Sequence, residues 1–111
     1  MPIELKRMEP GIAVIALSGR MTFGRDAEQF EAAVRQLLDT GDRKFVLDAT
    51  ALDYIDSAGI GALVSALTNV KKAGGDLRLA GAKDRILRLF TMTGVDKLLA
   101  VYPTVADAAS A

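Results

Sequence analysis

Between Ser57 and Val70 the chain carries no charged residue, although a quarter of all its residues are charged. The apolar positions in that stretch, Ile60, Leu63, Val64, Leu67 and Val70, recur at helical spacing. A helix on a soluble protein normally sets its apolar stripe against a charged face. Here the face opposite the stripe is Ala58, Gly61, Ala62, Ser65 and Asn69, small and uncharged. The stripe, with Ile60, Leu63, Val64 and Leu67, is expected to lie against a sheet. The small face suits close approach of another surface, and Ser57 stands at its edge behind the carboxylate of Asp56. That is the arrangement of a protein-docking face that one phosphate would close.

The rest of the chain supplies the sheet. Ile3 and Leu5 alternate with polar residues, Glu9-Pro10-Gly11 is turn chemistry, and Ile12 to Leu17 is a more buried strand, so the chain opens on a hairpin. Residues 18–24 are expected as a loop. Ala27, Phe30, Val34, Leu37 and Leu38 predict a helix over 25–39 that Gly41 stops. Phe45-Val46-Leu47, ending at Asp48, fits a central strand buried on both faces.

After the uncharged helix, Lys71-Lys72 and Gly74-Gly75 are C-terminal signals. Leu77 to Ala80 is a strand, 83–92 a helix closed by Gly94, and Leu99 to Tyr102 a last short strand. Thr104 to Asp107 has the form of a capping box for a small helix, beyond which the Ala-Ser-Ala end is expected to fray. Strands alternating with helices imply parallel pairing through helical crossovers. The fold class expected is therefore α/β, one mixed sheet of four to five strands with about four helices.

Composition narrows the function. Fourteen basic and fourteen acidic residues balance, and the basic ones are scattered, which argues against nucleic acid as a direct partner. The chain has no cysteine and no histidine, so it lacks thiolate and imidazole metal ligands and the commonest general base. No enzyme, cofactor or metal site is expected. No apolar run approaches the ~20 residues of a membrane span and the start is not a signal peptide, which leaves the cytoplasm as the expected location and no membrane partner.

Individual motifs leave alternatives open. Either Asp56 or Ser57 can act as the N-cap of the helix, since both side chains accept hydrogen bonds from first-turn amides. Gly59 and Gly61 each cost roughly 1 kcal/mol relative to Ala inside a helix, which points to close backbone approach by the sheet or by a partner. Gly59-Ile60-Gly61 lacks the strand and final glycine of a dinucleotide fingerprint. Asp48, Asp53 and Asp56 are read as a solvated acidic loop rather than a magnesium site. Phe23 and Tyr54 serve either as exposed anchors or as core.

Phe45-Val46-Leu47-Asp48 followed by Tyr54-Ile55-Asp56-Ser57-Ala58-Gly59-Ile60-Gly61-Ala62-Leu63 resembles the signature of STAS domains, named after sulfate transporters and anti-sigma-factor antagonists. The match is nearest to freestanding bacterial antagonists and covers essentially the whole chain as one domain, residues 1–111. The resemblance implies that Ser57 is phosphorylated by an anti-sigma factor that is also an ATP-dependent serine kinase. It implies that the unphosphorylated form binds that partner, and that a metal-dependent serine phosphatase restores it. Asp56 would shape the site. The docking surface expected from it comprises Asp56, Ser57, Ala58, Gly61, Ala62 and Ser65, with Thr22 and Phe23 from the preceding loop.

Two positions depart from the pattern. Ala58 replaces the second serine of many members, and the loop around Arg20 differs from the Gly-Glu-Leu-Asp form common in the antagonists. The alternative reading is a constitutive interaction subunit of a sensory or lipid-transport assembly. Phosphate on Ser57 beside Asp53 and Asp56 is expected to make the local potential strongly negative.

Overall fold

Short alternating apolar runs separated by helices fold here into a five-stranded sheet, described by a computed structural model for residues 3–111. Residues 1 and 2, at the start of the expected domain, lie outside the described part. The strands are β1 (Ile3–Met8), β2 (Ile12–Met21), β3 (Lys44–Ile55), β4 (Asp76–Ala80) and β5 (Val101–Tyr102), in that spatial order. The helices are α1 (Arg25–Asp39), α2 (Ser57–Lys72), α3 (Asp84–Thr93) and α4 (Val105–Ser110). β1 and β2 form the antiparallel hairpin, in register Ile3↔Leu17 to Met8↔Ile12, and every later pairing is parallel.

Strand periodicity divides the sheet's two faces. Ala13, Ile15, Leu17, Phe45, Leu47, Leu77 and Leu79 point into the main core with α1, α2 and α3. Their neighbours Ile12, Val14, Val46 and Ala80 meet Ala108 of α4 in a smaller core on the other face. β3 between β2 and β4 is thereby buried on both sides over Phe45–Leu47, as its unbroken apolar run predicts.

The structure corrects the boundaries where period-two patterning fails. Residues 18–21 and 49–55, expected as loops, continue β2 and β3 as a paired ribbon, from Ser18↔Ala51 to Met21↔Ile55. Register shifts at Ala16/Ser18 and Gly19/Arg20 break the alternation, which hides the strands from a pattern reading. Asp48 supports the irregular segment: its Oδ1 accepts from the Thr50 amide (3.1 Å) and hydroxyl (2.6 Å). Met21, Leu52 and Ile55 anchor the ribbon in the main core.

The chain also forms a 3-10 turn at Val95–Lys97 that apolar spacing does not announce, and this trims β5 to two residues. At the C-terminal end, Thr104 Oγ1 caps α4 by accepting from the Asp107 amide (3.1 Å). The helix runs to Ser110, through part of the Ala-Ser-Ala end expected to fray. Arg78 Nη1 donates to the carbonyls of Ala108 (2.9 Å) and Ala111 (2.6 Å) and ties the end to β4.

The orientation of α2 is the largest correction. Its buried residues are Gly59, Ala62, Leu63, Ala66, Leu67 and Val70, while Ile60 and Val64 are only half-buried. Ala62, expected on the open small face, is 3 % exposed. The helix is flanked by α1 as well as backed by the sheet, and the alanines at 62 and 66 allow that double approach. Small residues here serve contact with the chain's own elements.

Candidate functional site

The site forms where the ends of β2 and β3 meet the start of α2. Asp56 N donates to Met21 O (3.2 Å), so the last ladder bond delivers the chain straight into the helix. Asp56 is the N-cap: Oδ1 accepts from the Gly59 amide (2.8 Å) and Oδ2 from the Phe23 amide (3.0 Å). These amide donors, Gly59 first and then Phe23, hold the Asp56 carboxyl below the usual carboxylate range, because each stabilises the ionised form. One carboxylate thus caps the helix and fixes the loop between β2 and α1.

With the capping role taken by Asp56, Ser57 is the first helical residue and is exposed, and its hydroxyl makes no side-chain hydrogen bond among the described residues. Gly59 is explained by the sheet: a Cβ there would collide with the Met21 carbonyl oxygen and lie 2.7 Å from Ile55 Cγ1. Gly61 faces open space, where a Cβ would meet nothing within 4 Å. Ser57, Gly61 and Ser65, at four-residue intervals, are all exposed and form one ridge along α2. Ala58 is half-buried beside it.

The loop residues divide. Phe23 is 83 % exposed, so the open choice between anchor and core resolves to the surface. Thr22 is half-buried and its hydroxyl donates to Asp26 (3.0 Å), supporting the start of α1. Of the eight expected docking residues, Ala62 alone falls in the core.

Two features were not legible in sequence. Arg20 stacks over the Tyr54 ring, 4.4 Å from its centroid, because Arg20 and Tyr54 pair across the bulged ribbon. Lys83, before α3, pairs with Asp53, with Arg85 at 3.9 Å. Lys83 holds the Asp53 carboxyl below its usual range. Of the carboxylates expected beside Ser57, Asp53 is thus paired with a cation, whereas Asp56 is held in its ionised form by amides. Among the described residues no three metal-ligating side chains cluster, and no helix is long and apolar enough to cross a membrane.

A family model described as the STAS domain matches residues 5–108. The chain belongs to the STAS domain family. It is 32 % identical over 93 residues to BtrV of Bordetella bronchiseptica, named as a candidate anti-sigma factor antagonist, covering 84 % of this chain and 77 % of that protein. The crystal structure of a candidate anti-sigma factor antagonist from Thermotoga maritima superposes with a TM-score of 0.89 at 21 % identity, over 97 % of this chain and 92 % of that one. The Bacillus cell fate determinant SpoIIAA in its phosphorylated form gives 0.76 at 18 % identity, over 98 % and 97 %. At these identities the two structures establish the STAS fold.

Proposed function

We propose that this STAS domain is an anti-sigma-factor antagonist that docks an anti-sigma factor with serine kinase activity through the ridge of Ser57, Gly61 and Ser65, with Asp56 and Phe23 at its end. Phosphate on Ser57 switches it off, and a metal-dependent serine phosphatase restores it. The observation that carries the reading is the exposed hydroxyl of Ser57 at the first position of α2, relieved of capping by Asp56. The name of the Bordetella relative supports the partner class, and SpoIIAA, a protein of the same fold, is known in a phosphorylated form.

Phosphorylation adds about −1.5 to −2 charges, which the amino end of a helix tolerates, so the free domain keeps its fold. A partner seated on glycine and serine would instead meet a bulky hydrated dianion. Desolvating it costs on the order of 2 kcal/mol or more, enough to release the partner. Ser57→Ala is expected to bind the partner kinase and take up no phosphate, while Ser57→Asp binds at least about tenfold more weakly. Calorimetry with the partner kinase and intact-mass analysis measure both. Equal affinity of the wild-type, Asp and phosphorylated forms overturns the switch and leaves a constitutive interaction subunit.

A further inference from the structure

The hairpin leaves one long edge of the sheet open. β1 stands at the end of the strand order, while the opposite edge, β5, has only two residues. Among the described residues no backbone hydrogen bond runs from residues 3–8 to anything but β2, and Glu4 to Arg7 are all exposed. Such an edge is a row of unpaired amides and carbonyls whose complement is another strand. Leu5 is 52 % exposed, although it pairs with Ile15 and so stands on the face that carries the main core.

Charged side chains on an edge strand ordinarily repel a second strand. Here Glu4 and Lys6 have opposite signs and share one face, where their ion pair is long (3.7 Å) and exposed. A contact of that kind is weak and is exchanged without loss for one across a strand pair. Two copies joined antiparallel by their β1 edges are related by a two-fold axis through the sheet. Directly opposite residues share a face, so the axis passes beside a residue and never between two. Centred on Glu4, it sets that carboxylate against its own copy; centred on Lys6 or Arg7, it sets like cations together. Centred on Leu5, it places each Glu4 opposite Lys6 of the other copy and the two Leu5 side chains against each other. Arg7 then faces Ile3, with its charge already paired to Asp42 (2.7 and 2.8 Å).

We propose that the chain self-associates through β1, as an antiparallel two-fold pair centred on Leu5. Backbone hydrogen bonds and the leucine contact supply the attraction, and the charges choose the register. α2 packs over β3 and β4, away from this edge, so the Ser57 ridges of both copies stay uncovered. The association is therefore independent of the proposed switch.

Sedimentation velocity of the full chain from about 10 µM to about 1 mM is expected to show a monomer passing to a dimer. Glu4→Lys and Lys6→Glu each weaken the dimer at least about tenfold, since each turns two opposite-charge pairs into like-charge pairs. An equimolar mixture of the two variants dimerises as wild type does, because the basic edge of one then faces the acidic edge of the other. Melting curves check that each variant is folded; both positions are exposed, where substitution is well tolerated. A monomer at every concentration, a dimer indifferent to either substitution, or a mixture that stays monomeric overturns the proposal.

Discussion

Asp56 shows how much one side chain decides at the residue scale. Its two oxygens satisfy amides from two segments, so the same carboxylate that starts α2 also sets where Phe23 stands and leaves Ser57 unoccupied. Its depressed pKa has a definite consequence for stability. A carboxyl whose folded-state value lies below its unfolded value stabilises the fold fully above the unfolded pKa of roughly 4. That contribution is lost as pH falls through the folded value. The melting temperature of Asp56→Ala is therefore expected to lie well below wild type at neutral pH, with the gap narrowing as pH drops below about 4. Thermal melts across that range test it; a gap of constant size means that the charge on Asp56 is not what holds the cap.

At the scale of the element, α2 teaches that a small side chain is ambiguous. Ala62 and Ser65 are one turn apart, yet Ala62 is packed in the main core and Ser65 is exposed. Ala62→Arg is expected to destabilise the domain by about 3 kcal/mol or more, because it overpacks the core and buries an unpaired charge. Ser65→Arg is expected to change stability by no more than about 0.5 kcal/mol while obstructing the proposed partner. Denaturant melts and a binding assay on the two variants separate the cases. A stable Ala62→Arg protein would place the core on the other side of the helix.

For the whole molecule, the unequal covering of the sheet matters most. Three helices seal one face, whereas the other depends on α4, a six-residue element with a single buried alanine. Helices so short have little stability of their own. The Arg78 bonds to the last carbonyls therefore do much to keep α4 in place. Arg78→Ala is expected to cost roughly 1.5 kcal/mol and to speed hydrogen exchange of the α4 amides while those of α1 and α2 stay protected. Uniform acceleration across all helices would show instead that α4 unfolds only with the whole domain.

Order and type of element were legible in the chain because they follow from local chemistry: apolar period, Asp and Thr at helix starts, glycine at helix ends. The span of α1 emerged as read, α2 starts at Ser57 as expected, and the Asp-Ser-Ala-Gly-Ile-Gly run placed the chain among STAS domains. What only tertiary structure decided depends on which neighbours arrive. The bulged pairing of β2 with β3 turned expected loops into a ribbon and set Arg20 on Tyr54. Lys83 came from a different crossover to neutralise Asp53. The flanking by α1 put Ala62 inside, although its size suits either face. A glycine records that something comes close; whether that is the Met21 carbonyl, as at Gly59, or open space, as at Gly61, is a property of the folded chain.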